Sequence, residues 1–284
     1  MKTNGIQFAV NDSDSRIQEI LNVSDISFEE VDSIPPSDRL TYSNGFYVNC
    51  TALFIDIRGS SKLPEIHTRP VLAKIYRAYL SECVAILNQD ENCREIFITG
   101  DCVAGIFDTP TKEAISSAFF RAGQLNTMLK LLNWRLQQKN YSPIKCGIGI
   151  DYGRALMLKA GFRGSGINEI IWMGDVVNNS SKLCHEGNRD FLKPIQASSA
   201  IYQNLRDDYK ELLSPVIESV LDVINPNSYE GDLVAVEMNA EIESKMSSGS
   251  ISLAQILMNY HPEIASSENA SDRMVRPKGL LDFL

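Results

Sequence analysis

Apolar residues recur along this chain in two rhythms, short runs in strand-like segments and longer stripes spaced by three and four. Residues 46–57 read as a strand, the first of the compact region. Beyond Pro70, the positions Leu72, Ile75, Tyr76, Tyr79, Leu80, Cys83 and Leu87 follow i, i+3, i+4 spacing and predict a helix. Residues 95–99 and 102–107 read as two strands that meet at Gly100-Asp101, a hairpin signal. Pro110 opens the clearest helix, whose stripe runs from Ile115, Ala118 and Phe119 to Leu132 and Leu136. Strands are expected at 145–151 and 154–160, parted by Tyr152-Gly153, with a flexible glycine-rich loop from Gly161 to Gly166. A strand over Glu169–Met173 leads to a helix over Asp175–His185, then a strand at 194–197 and a helix at 198–206. Two late strands, 217–224 and 229–237, flank the turn Asn225-Pro226-Asn227.

The two ends read differently. Residues 1–44 are polar, carry Pro35-Pro36, and suggest a short helix near Arg16–Leu21 in an extension outside the core. Ser247-Ser248-Gly249-Ser250 reads as a linker, followed by a short helix at 251–259 and a polar tail. The expected boundaries are therefore 1–44, 45–245 and 246–284. Strands and helices alternate but hairpins intervene, so the fold class is α+β, a mostly antiparallel sheet with helices packed on it.

Composition narrows the function. The chain has 284 residues, 44% of them hydrophobic, enough for a full core. A net charge of −9 argues against general nucleic-acid binding, which needs a basic surface. It does not exclude a small anionic substrate, since a bound metal reverses the local field. No signal peptide and no apolar run of bilayer length is evident, so no membrane association is expected. The six cysteines form no CxxC pair and several fall in apolar elements, which suits a reducing, cytoplasmic setting. The three histidines, His67, His185 and His261, lie far apart and do not suggest a metal site.

Two aspartates carry most of the chemistry. Asp56 ends the apolar run Ala52-Leu53-Phe54-Ile55, and Asp101 interrupts Phe97-Ile98-Thr99-Gly100-Asp101-Cys102-Val103. A buried carboxylate is costly to ionise unless paired or metal-bound. Two of them on neighbouring strands could hold divalent cations against a polyphosphate. The alternative is a pair of strand-end aspartates that cap turns. A third segment, Gly174-Asp175-Val176-Val177-Asn178-Asn179-Ser180-Ser181-Lys182, places Asn178, Lys182 and His185 on one helix face at i, i+4 and i+7. Taken alone, that face is an ordinary solvated one.

Taken in order, these segments resemble the class III nucleotide cyclase domain over about residues 45–245. The strand Phe54-x-Asp56-Ile57-x-Gly59 is similar to that family's first metal strand, and Gly100-Asp101 to its second metal position. Gly147-Ile148 to Gly153 resembles its Gly-Ile-x-x-Gly strand, and Gly174-x-Val176-Val177-Asn178-x-x-x-Lys182 its Gly-x-x-Val-Asn-x-x-x-Arg helix. The resemblance implies a ferredoxin-like core and a homodimer with composite sites. Asp56, Asp101 and the Ile57 carbonyl of one protomer would hold two Mg²⁺ or Mn²⁺ ions. Backbone N–H groups of Arg58, Gly59, Ser60 and Ser61 would cradle phosphates. Asn178 and Lys182 would come from the second protomer, to orient the ribose and to neutralise the α-phosphate.

The departures from that family are equally informative. Lys182 stands where the family has arginine, which keeps the charge and loses the bidentate fork. Phe97 and Ile171 stand where purine cyclases carry polar base-reading side chains. Apolar residues there cannot supply purine hydrogen bonds. With Asp56-Ile57-Arg58-Gly59-Ser60, this resembles the pyrimidine cyclases of bacterial Pycsar anti-phage systems. The implied activity converts UTP or CTP to cyclic UMP or cyclic CMP, with the product acting on a separate effector protein. Phe97, Ile171 and Trp172 would line the base pocket; the plainer alternative is that they are core residues. A purine cyclase and a catalytically inactive nucleotide-binding dimer remain as alternatives.

Overall fold

The structure, a computed structural model, describes residues 5–260 apart from 218, 220, 221 and 225. The elements run α1 (Val10–Leu21), β1 (Phe28–Glu30), β2 (Gly45–Ile57), α2 (Leu63–Ile66) and α3 (Arg69–Asn88). A hairpin follows, β3 (Cys93–Thr99) and β4 (Cys102–Phe107), then α4 (Lys112–Gln137) and a second hairpin, β5 (Cys146–Phe162) and β6 (Ile167–Met173). Next come α5 (Asp175–Glu186), β7 (Ile195–Ser198), α6 (Ser199–Asn204) and α7 (Asp207–Lys210). The series closes with β8 (Ser214–Pro215), β9 (Ser228–Gly231) and α8 (Val236–Tyr260). The chain divides into two compact units, Met1–Asn239 and Ala240–Leu284. The first holds the sheet and all candidate site residues.

The described strands form one mixed sheet in the order β3-β4-β2-β5-β7-β9-β8, with β1 added on β2 and β6 on β5. Only the β1–β2 and β5–β7 pairs are parallel, so the α+β reading with a mostly antiparallel sheet holds. The β2–β5 ladder is its spine, from Gly45 opposite Leu158 to Ile57 opposite Cys146. Because side chains alternate faces, β2 feeds two cores. Leu53, Ile55 and Ile57 enter a large core with α3 and α4, whereas Phe46, Val48, Cys50 and Ala52 enter a second core with Trp172 and Val176. Asp56 has the parity of the second face.

Several expectations are corrected. The strands expected at 145–151 and 154–160 are one element, because Tyr152 and Gly153 stay in register with Thr51 and Cys50 of an unbroken partner. The expected Gly161–Gly166 loop shrinks to a hairpin turn at 163–166, where Gly164 and Gly166 adopt φ of +86° and +71°. Part of the N-terminal extension belongs to the core: β1 pairs with β2, and Ile34 and Leu40 are buried. The helix near Arg16–Leu21 begins earlier, at Val10.

The late strands are also revised. Within 217–224 the described residues are not strand; Ser219 N–H donates to the Asp222 carboxylate, closing a turn. The strand expected at 229–237 ends at Gly231, because α4 captures the backbone beyond it. Asn126 donates to the Leu233 carbonyl at 2.9 Å and Ala235 N–H donates to Thr127 Oγ1 at 2.9 Å. Ser247–Ser250, expected as a linker, lie inside α8. One glycine costs a helix only about 1 kcal/mol, too little on its own to end one.

The closest approach in the fold is that of α5 to β5. A Cβ on Gly149 would clash with the Cys184 N and the Ser180 carbonyl and lie 2.7 Å from Cys184 Cα. A Cβ on Gly147 would clash with the Cys184 carbonyl and sit 2.8 Å from that of Gly187. Backbone cannot move aside as a side-chain tip can, so Gly149→Ala should cost at least about 3 kcal/mol in urea unfolding. Gly153→Ala, whose Cβ would rest 3.5 Å from Val176 Cβ, should change stability by less than about 1 kcal/mol. A Gly149→Ala protein as stable as wild type would contradict this close seating.

Candidate active site

The β2 end and the β3–β4 turn bring Asp56 and Asp101 together. Burial first, then the negative charge and direct contact of Asp101, hold the Asp56 carboxyl above the usual carboxylate range. The Arg58 and His185 charges oppose that rise without cancelling it. Asp101 Oδ2 is buried and has no hydrogen-bond partner. Two carboxylates in mutual repulsion, one with an orphaned oxygen, fit a divalent cation on electrostatic grounds. Among the described residues, no group of three His, Cys, Asp or Glu side chains surrounds this point, so the protein itself supplies a sparse ligand set.

The residue that answers Asp56 is Arg58. Its Nη2 donates to Asp56 Oδ2 at 2.8 Å and its Nη1 to the His185 carbonyl at 2.7 Å. Its side chain is 10% exposed. The sequence reading used only the backbone of Arg58, and that part needs correction: its N–H donates to the Lys145 carbonyl at 2.7 Å. Any N–H cradle for phosphate therefore narrows to Gly59, Ser60 and Ser61, where Gly59 takes φ +67° and a 3₁₀ turn begins. Ile57 is buried in the large core, leaving only its backbone to the site.

Tyr76 was read only as part of the α3 stripe. Its hydroxyl contacts Ser60, and burial together with Asp101 and Asp56 pushes its pKa up. The signal available in the sequence was a tyrosine at a stripe edge, six residues after Pro70.

The α5 helix sorts its residues as its pattern requires. Val176, Ser180, Leu183 and Cys184 are buried, while Asn178, Lys182 and His185 are exposed on the opposite side. Ser180 Oγ donates to the Ala52 carbonyl at 2.9 Å and Cys184 Sγ contacts the Gly147 carbonyl at 3.2 Å, fastening the helix to β2 and β5. Asp151, buried on β5, adds contacts with Ser198 and with Asn179 of α5, and burial pushes its pKa up. The exposed trio meets nothing that would occupy it in one protomer among the contacts described, except that His185 Nδ1 lies 3.1 Å from Arg189 Nη2.

A groove of about 470 Å³ opens on the second sheet face. Phe54, Phe97, Thr99 and Ala104 form its floor; Ile171 and Trp172 of β6 and Val177 and Ser181 of α5 form its wall. All three residues expected at a base pocket thus line one groove. Trp172 is fixed there by its Nε1–H, which donates to Glu95 Oε2 at 2.7 Å. Burial foremost, then Glu169, pushes the Glu95 pKa up, against the Trp172 hydrogen bond. The Glu95–Trp172 pair was not visible in the sequence, because 77 positions separate the partners.

No family model matches the chain. It is 42% identical to the uridylate cyclase of Gulbenkiania mobilis over 216 residues, spanning 72% of this chain and 82% of that protein. It is 40% identical to the uridylate cyclase of Treponema porcinum over 199 residues, spanning 70% of this chain and 69% of that one. The chain belongs to the uridylate cyclase family. It is accordingly a nucleotide cyclase. Its fold matches the adenylyl cyclase CyaB from P. aeruginosa with a TM-score of 0.55 at 21% identity, over 66% of this chain and 95% of that one. The nucleotide cyclase reading of the sequence is thereby borne out for the family, and the cyclase-like expectation for the fold.

Two half-buried carboxylates in mutual repulsion are a liability to stability. Asp101→Asn in this uridylate cyclase relative should melt at or above the wild-type temperature, because repulsion of Asp56 is relieved. If the pair holds the catalytic cations, turnover should fall at least about 100-fold, because the carboxylate charge that would retain them is gone. A lower melting temperature with normal turnover would contradict this placement of the site.

Proposed function

We propose that this protein converts UTP to 3′,5′-cyclic UMP and pyrophosphate, with CTP the nearest competing substrate. The observation that carries the reading is the groove: the two positions where purine cyclases carry polar base-reading side chains are the apolar Phe97 and Ile171, the Trp172 N–H is taken by Glu95, and the polar lining elsewhere is Thr99, Glu169 and Ser181. The names of the two similar relatives support uracil over cytosine. In the reaction, the ribose 3′-oxygen gives up its proton to solvent and bonds to the α-phosphorus. The bond from that phosphorus to the bridging oxygen breaks, and pyrophosphate leaves.

Each residue has a role in that reading. Asp56 and Asp101, with the Ile57 carbonyl, would hold two divalent cations, Mn²⁺ or Mg²⁺. Bound there, such ions supply Lewis-acid activation and charge neutralisation. The N–H groups of Gly59, Ser60 and Ser61 face the β- and γ-phosphates. Lys182 of a second copy neutralises charge at the α-phosphate, and Asn178 of that copy orients the ribose. The exposure of Asn178 and Lys182 supports their use across a homodimer. The product serves as a signal to a separate effector in anti-phage defence. No described helix is long and apolar enough to cross a membrane, and all six thiols are free.

The test is turnover of the four NTPs with Mn²⁺, read by mass spectrometry. UTP should react at least about tenfold faster than ATP or GTP, because a missing hydrogen-bond partner in a dry site costs about 1–3 kcal/mol. A preference for ATP or GTP would return the protein to the purine cyclases. No turnover of any NTP would favour a nucleotide-binding dimer without catalysis.

A shared site makes a second expectation. Asp56→Ala and Lys182→Ala proteins, each inactive alone, should regain activity when mixed and allowed to exchange subunits. Statistical pairing gives half of the dimers as mixed, each with one intact site. That corresponds to about a quarter of wild-type activity. Absence of any recovery in mixtures shown to contain heterodimer would contradict sites shared between two copies.

A further inference from the structure

The Asp56–Arg58 pair sits where a divalent cation would have to bind. The guanidinium spans two acceptors: the anionic Asp56 carboxylate at 2.8 Å and the neutral His185 carbonyl at 2.7 Å, the latter in the last turn of α5. Orphan carbonyls at a helix C-terminus carry partial negative charge and favour a cation. The side chain crosses Gly147, whose absent Cβ would lie 3.2 Å from Arg58 Cζ. So the glycine that seats α5 also leaves room for the guanidinium. Yet the seat is incomplete: Arg58 Nε is buried without a hydrogen-bond partner.

We propose that Arg58 is a resident counter-cation that opposes divalent-metal binding until the triphosphate arrives. This rests on the reading of Asp56 and Asp101 as metal ligands. A fixed positive charge at one Asp56 oxygen repels a divalent cation at the same carboxylate, and that side chain is only one-third exposed, so screening is partial. A nucleoside triphosphate brings several negative charges and tips the balance toward the ions. Metal and nucleotide then bind with positive linkage, and each raises the affinity for the other by the same factor. Arg58 is a positioning residue in this scheme, because it acts through Asp56.

The test measures Mn²⁺ affinity from the electron paramagnetic resonance signal of free Mn²⁺, with no nucleotide and no turnover. Arg58→Gln keeps hydrogen-bonding reach toward His185 and removes the charge. It should bind Mn²⁺ about tenfold more tightly than wild type, a size typical of coupled sites. Arg58→Lys retains the charge and should stay within about twofold of wild type. With a non-reacting UTP analogue present, the Arg58→Gln advantage should shrink. Unchanged or weaker Mn²⁺ binding by Arg58→Gln, with the fold verified by its melting curve, would overturn the proposal. Asp56→Asn separates the two readings. If it binds Mn²⁺ as wild type does, the metal assignment fails and this inference with it. If it loses Mn²⁺ while Arg58→Gln gains nothing, only the role of Arg58 fails.

Discussion

The contact on which the site depends is backbone against backbone, α5 lying on β5 where Gly147 and Gly149 of the strand contribute no side chain. Gly147 and Gly149 make that distance possible, because a Cβ at either would strike the carbonyls or amides of α5. The consequence is geometric. At these two glycines helix main chain meets strand main chain, which fixes the exposed positions Asn178 and Lys182 relative to Asp56, opposite Gly147 in the β2–β5 ladder. Hydrogen bonds from Ser180 and Cys184 to strand carbonyls then hold the rotation of the helix about its own axis.

Charge is the second constraint. The β3–β4 hairpin brings Asp101 beside Asp56 in a half-buried place where water screens poorly. Their repulsion appears as the raised pKa of Asp56, led by burial and then by Asp101. One guanidinium, that of Arg58, offsets part of this, and Tyr76 lies within the same field. The protomer therefore presents a negative cluster at one place and a helix face bearing Lys182 at another. The proposed completion of the site by a second copy rests on the exposure of Asn178 and Lys182.

Most of the fold was legible in the sequence where one residue's neighbours decide its state. The stripe of α4, the β3–β4 hairpin and the alternating β2 strand follow from spacing alone. The errors came where a distant partner decides. Tyr152-Gly153 resembles a turn until β2 runs straight past it. Residues beyond Gly231 look like strand until Asn126 and Thr127 of α4 take their backbone groups. At the site, Asp56, Asp101, Asn178 and Lys182 were visible as motif positions. The Arg58–Asp56 pair was not, although the residues are two apart, because a guanidinium's direction depends on the His185 carbonyl 127 positions away. The Glu95–Trp172 bond was hidden for the same reason.

The central claim is that metal, nucleotide and α5 meet across two copies of this chain. Anomalous diffraction from crystals grown with Mn²⁺ and a non-reacting UTP analogue tests it most directly. The account predicts manganese peaks between Asp56 and Asp101 of one protomer, the triphosphate against Lys182 of the other, and uracil in the groove of Phe97 and Trp172. Manganese held elsewhere, or a nucleotide contacted by a single protomer throughout, would contradict it.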